Sequence, residues 1–169
     1  MDRTAEKALA LLAEHGGRLH ALLLRLTLRE DVAEDLMQEV FLKLAYGGGL
    51  TQARDALAYG IRVATNLAFD WRRAQRRTPA TKSADETLRE PGRSPLVELV
   101  GKEELERVLD ALGRLPRRDR DLVVMKYLQQ KDYRAMAQEL GQTPHQVRAI
   151  CHKALRRLRR LVETVSERE

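Results

Sequence analysis

The chain has 169 residues and a formal net charge of +6, with 43% hydrophobic and 33% charged residues, enough apolar material for one ordinary domain or two small ones. Aromatics at 4% are too few for a typical all-β protein, and one cysteine excludes an internal disulfide framework or a Cys-rich zinc site. No apolar run approaches the roughly 18 residues that span a bilayer, and the amino terminus carries no signal pattern. A largely helical, cytoplasmic protein without membrane insertion is therefore expected.

In chain order, apolar spacing predicts helices at 4–14, 17–28, 31–46 and 55–77, punctuated by Gly16-Gly17 and Gly47-Gly48-Gly49. From Thr78 to about Lys102 the rhythm breaks. This stretch holds Pro79, Pro91 and Pro95, Gly92 and a polar run, and it reads as a linker. Beyond it, helices are predicted at 103–113, 117–129, 132–140 and 144–163. Pro116 and Pro144 sit where a first-turn proline is tolerated, and Thr143 is placed as an N-cap. The expected fold is all-α: a helical domain at 1–78, a flexible linker at 79–102 and a second helical domain at 103–169.

Charge is segregated along these elements. Glu30 to Glu39 holds five acids and no base, Trp71 to Arg77 four arginines and no acid, and Gln146 to Arg160 six bases and no acid. Such blocks suggest one acidic docking face and two segments that face a polyanion.

On a helix spanning Asp31 to Leu44, the residues Ala33, Leu36, Met37, Val40, Phe41 and Leu44 share the buried side. Asp31, Asp35, Gln38 and Glu39 gather opposite, with Leu42 among them. That face is either a solvated acidic surface or a docking patch for a basic partner, and periodicity leaves both open. On the helix ending the first domain, Arg62, Asn66, Asp70 and Arg73 line one stripe, and Arg72, Arg76 and Arg77 widen its basic end. Arginines beside Tyr59 and Trp71 make a combination that binds single-stranded nucleic acid by phosphate contact and base stacking. The two aromatics could equally be core residues.

The second domain carries a sharper pattern. Tyr133, Met136, Ala137 and Leu140 recur at helical spacing, Gly141-Gln142-Thr143 turns, and Val147, Ile150, Cys151, Ala154, Leu155 and Leu158 form the next apolar stripe. Two short helices joined by a Gly-containing turn make a helix-turn-helix. Its second helix offers Gln146, Arg148, Ala149, His152, Lys153, Arg156 and Arg157 outward, for base edges and phosphates in a major groove. Cys151 falls on the apolar side and reads as a small buried hydrophobe. No catalytic motif is present and the four histidines are scattered, so neither an enzyme, a cofactor nor a metal site is expected.

Together these residues resemble the extracytoplasmic-function (ECF) sigma factors of bacterial RNA polymerase. Residues 33–44, with Asp35, Gln38, Glu39 and Phe41 in a D-x-x-Q-E-x-F pattern, resemble the family's core-binding helix. Residues 59–73 resemble the helix that meets the minus-ten element, and 109–160 the region that reads the minus-thirty-five element. The resemblance implies a region 2-like bundle and a region 4-like helix-turn-helix domain, with no enzymatic role. It implies that Asp35, Gln38, Glu39, Phe41 and Leu42 dock on the clamp helices of the largest polymerase subunit. Arg62, Asn66, Asp70, Arg72 and Arg73, with the loop from Gly48 to Asp55, would handle the melted minus-ten strand. Arg148, Ala149, His152 and Lys153 would face the minus-thirty-five groove. The implied partners are core RNA polymerase, promoter DNA and an anti-sigma protein. Three positions depart from the family pattern. Gly60 replaces a leucine and is expected to loosen or bend its helix, while Ala149 and Lys153 replace Ser and Arg. A decoy that only sequesters an anti-sigma protein, or a plain helix-turn-helix regulator, are the alternatives. The first would tolerate loss of the basic residues kept here, and the second leaves the acidic helix unexplained.

Overall fold

The computed structural model describes residues 2–77 and 95–167, and every regular element among them is helical. The first unit comprises α1 (Arg3–Thr27), α2 (Glu30–Tyr46), the single-turn α3 (Gly49–Gln52) and α4 (Ala56–Arg77). The second comprises α5 (Pro95–Arg114), α6 (Arg117–Val123), a π-helical turn (Val124–Leu128), α7 (Tyr133–Leu140) and α8 (Pro144–Ser166).

In the first unit α1, α2 and α4 pack on one another around Leu19, Leu23, Leu26, Val40, Leu44 and Phe69, all buried. α1 is one continuous helix, where two were predicted at 4–14 and 17–28. Gly16 and Gly17 do not break it because a mid-helix glycine costs only about 1 kcal/mol, less than the burial of Leu11 and Leu19 on either side supplies. Leu28, at φ 60°, ends α1 in the left-handed region and sends its N–H back to the Leu24 carbonyl. The loop predicted after α2 contains α3, which Gly48 introduces at φ 76°, a conformation that favours glycine.

Gly60 does not interrupt α4, which runs unbroken from Ala56 to Arg77. It is buried against α1, and a Cβ there would stand 3.3 Å from Leu11 Cδ2 and 3.7 Å from Leu19 Cδ1. The missing side chain lets two helices approach closely.

Residues 79–94 of the predicted linker lie outside the described residues, whereas 95–102 already belong to α5, eight residues ahead of the expected helix. Pro95 is the first residue of that helix, where its absent N–H costs nothing. In the second unit α5, α6 and α7 all pack on α8. Leu122, Met125, Met136, Ala137 and Val147 form the core, with Tyr133 and Ile150 against it. The helix predicted over 117–129 ends in a π turn, closed by Gln129 N–H donating to the Val124 carbonyl at 3.0 Å.

Candidate docking and nucleic-acid interfaces

Helical spacing places α2 as predicted. Ala33, Leu36, Val40 and Leu44 are buried, Met37 and Phe41 half-buried, and Asp31, Asp35, Gln38 and Glu39 exposed. Leu42 stands among these carboxylates and is 54% exposed. Asp31 is not free for a partner. The Arg29 guanidinium donates to both its oxygens, at 3.1 and 2.6 Å, and holds its carboxyl below the usual range. Asp35, Gln38, Glu39 and Leu42 are left as the outward group, whereas Phe41, half-buried, lies at its inner edge.

α4 divides the predicted stripe. Arg62 and Asp70 are exposed, Asn66 and Arg73 half-buried, and Arg73 is ion-paired with Asp70 one turn back. Arg72 does not belong to this face. It is 4% exposed, and its Nε donates to the Leu26 carbonyl at 2.7 Å. A minus-ten contact by Arg72 is thereby overturned, because its guanidinium satisfies a carbonyl at the carboxyl end of α1, where no helical N–H remains to do so. Of the two aromatics, Trp71 is half-buried, and Tyr59, also half-buried, lies so close to Gly49 that a Cβ there would collide with its hydroxyl.

The helix-turn-helix is built by local chemistry. Asp132 caps α7, its Oδ1 accepting from Ala135 N–H at 2.7 Å, and Gly141 ends that helix at φ 65°. Thr143 Oγ1 accepts from Gln146 N–H at 3.2 Å, while Gln146 Oε1 accepts from Thr143 N–H at 3.0 Å. This reciprocal capping box starts α8. It engages the Gln146 carbonyl and leaves that side chain its amide N–H groups to donate. Val147, Cys151, Ala154 and Leu158 point inward, as predicted, while Leu140 on α7 reaches the surface.

The outer face of α8 is basic and exposed at Arg148, His152, Lys153, Arg156 and Arg157. Arg148, Ala149, His152 and Arg156 line a groove together with His145. Gln146, Lys153 and Arg157 are not among its lining residues. Arg157, expected to face phosphates, is exposed, and its Nη1 donates to Asp119 Oδ2 of α6 at 2.6 Å, which ties the two helices. His145 was missed, although positions 145, 148, 149, 152 and 156 follow one helical stripe.

Sequence reasoning also missed Arg120, which is 1% exposed and donates through Nε and Nη2 to Asp121 Oδ1 at 3.0 and 2.9 Å. Cys151 is fully buried beneath α7 beside Tyr133, over whose ring Lys126 places its ammonium at 4.3 Å. Burial pushes the thiol pKa up, which disfavours the thiolate.

Comparison with known families bears directly on these surfaces. A model described as sigma-70 region 2 matches residues 11–78, and one described as sigma-70, region 4 matches residues 105–158. The chain belongs to the sigma-70 family. Region 2 and region 4 on one chain are the pair typical of ECF sigma factors, and sigma-70 domains imply core RNA polymerase and promoter DNA as partners. The family is one of transcription factors. Region 2 thus spans most of α1 with α2 to α4, and region 4 runs from within α5 to within α8. Among solved structures, one of the sigma factor RpoE in complex with the anti-sigma factor NepR from Bartonella quintana is 19% identical with a TM-score of 0.48, covering 90% of this chain and 94% of that one. No curated protein matches. Among the described residues no helix is long and apolar enough to cross a membrane, and no three His, Cys, Asp or Glu side chains group as a metal site.

Proposed function

We propose that this sigma factor acts by binding alone and divides its work among three helix faces. Residues 1–78 dock core polymerase through Asp35, Gln38, Glu39 and Leu42 of α2, and meet the melted minus-ten strand through Arg62, Asn66, Asp70 and Arg73 of α4. Residues 103–169 read the minus-thirty-five duplex through Arg148, Ala149 and His152, with Lys153 and Arg156 beside them and His145 added. Core polymerase and promoter DNA place its work in the cytoplasm. The observation that carries this division is charge separation on exposed faces. α2 presents carboxylates around a solvent-exposed leucine, while the outer face of α8 presents bases without one acid from Gln146 to Arg160. An electrostatically matched protein partner suits the first face and a phosphate backbone the second.

The docking face is tested with Asp35→Lys/Glu39→Lys. Both side chains are exposed, so the helical fold is expected to survive, while like charge across a matched interface costs several kcal/mol. Loss of co-elution with sigma-free core polymerase, at unchanged far-UV circular dichroism, is the expected result. Undiminished co-elution of the double variant overturns the assignment.

A further inference from the structure

The most exposed large apolar side chain among the described residues is Tyr46, at 73%, in the last turn of α2. On a wheel of about 100° per residue, Tyr46 falls within about 40° of Asp35, Glu39 and Leu42. It therefore continues their stripe, four positions beyond Leu42, which is itself 54% exposed. On the opposite side of the same helix Val40 and Leu44 are fully buried, so the outward direction of this stripe is fixed by the bundle. The next residues, Gly47 and Gly48, have no side chains to screen the tyrosine. An exposed leucine and tyrosine one turn apart, following three polar side chains that accept hydrogen bonds, form an apolar centre with an anionic flank.

We propose that Tyr46 is an aromatic anchor of the polymerase interface, seated with Leu42 in an apolar depression of a partner surface whose flank is basic. This inference rests on the docking role given above to α2 and extends that face by one turn to a residue outside the family-like D-x-x-Q-E-x-F pattern. Continuity with the docking face commits the surface to core polymerase. A partner that complements Asp35 and Glu39 with positive charge must pass over Leu42 and Tyr46 as well, since all four lie along one line of one helix. Tyrosine suits the position because it buries a large rigid area at small cost in side-chain entropy, and interface residues with large energetic effects are enriched in this type. The alternative occupant is an unpaired promoter base stacked on the ring, since α3 and the turn before α4 follow closely.

The test is a fluorescence titration of the full-length protein with core polymerase in the absence of DNA, using Tyr46→Ala, Tyr46→Phe and Asp35→Lys/Glu39→Lys, each first checked for unchanged helicity. Tyr46→Ala is expected to weaken core binding at least about tenfold, and Tyr46→Phe to retain wild-type affinity because the ring carries the contact. If the charge-reversal pair loses binding while Tyr46→Ala keeps it, the anchor is refuted and the docking face stands. If neither variant loses binding, the docking face itself is wrong and the anchor falls with it. Unchanged core affinity with weakened binding of a single-stranded minus-ten oligonucleotide by the core-bound protein reassigns Tyr46 to DNA and overturns the inference.

Discussion

Arg72 and Arg62 lie ten positions apart on one helix and do opposite jobs. Arg62 is exposed, whereas Arg72 closes the Leu26 carbonyl from inside the bundle. Removing a charged donor from a buried acceptor costs roughly 1.5–3 kcal/mol, because the carbonyl is left dry and unpaired. Arg72→Ala is therefore expected to lower the unfolding free energy by about that amount in urea titrations, with Arg62→Ala unchanged; equal stabilities would refute the capping role. The buried place of Arg72 was legible, since Ile61, Thr65, Ala68 and Arg72 recur at the spacing of one helix face and all four are buried. Residue type hid it, as arginine is rarely inside unless paired. The partners of both arginines come from distant sequence: Leu26, which makes the burial of Arg72 possible, lies 46 positions before it, and Asp119 lies 38 before the exposed Arg157. No local pattern announces either pair, so the reach of Arg72 into the bundle and the tethering of Arg157 emerge only when the helices pack.

At the level of the helix, apolar periodicity located α2, α4 and α7 to within about two residues. It failed where glycine or proline was taken as punctuation. Gly16-Gly17 continues α1, Pro95 opens α5, and Gly60 is a contact surface between helices. In each case tertiary burial, or a tolerant position in the first turn, outweighs local propensity. Gly17 is exposed within α1, and a Cβ added there meets nothing within 4 Å. The glycine thus weakens α1 without serving the packing. Gly17→Ala is expected to stabilise the protein by about 0.5–1 kcal/mol, read as a higher midpoint in thermal or urea unfolding. A lower midpoint would mean that the helix needs glycine there for a reason that packing does not supply. The capping box from Thr143 to Gln146 teaches the complementary lesson, because the Thr143 cap was visible in the sequence while the use of Gln146 within it was not. The groove-forming stripe of α8 was equally legible in spacing, and His145 escaped notice only because it precedes the run of basic residues.

Across the molecule, the faces of α2 and α8 have opposite charge and ask for different partners. On α8 the expected division is between base reading and phosphate contact. Arg148, nearer the amino terminus of α8, is expected to meet a base edge, where a bidentate guanine contact gives roughly 1–3 kcal/mol of discrimination. Arg156, eight positions on, is expected to meet phosphate. Binding to single-base variants of an upstream promoter duplex over a salt series separates the two. Arg148→Ala is expected to relax preference at one or two positions, and Arg156→Ala to weaken all duplexes alike and reduce the salt slope by about one. Uniform weakening by Arg148→Ala would move that residue to the backbone. The role of the whole protein is tested most directly by transcription. Sigma-free bacterial core polymerase is mixed with the protein on a library of promoter fragments, and run-off products are sequenced. Expected are transcripts that start at defined positions, require the protein, share an upstream and a minus-ten element, and vanish with Asp35→Lys/Glu39→Lys. Stable co-elution with core but no promoter-dependent product, or duplex binding that proceeds without any association with core, would contradict a sigma factor, and the second result would return the chain to a helix-turn-helix regulator.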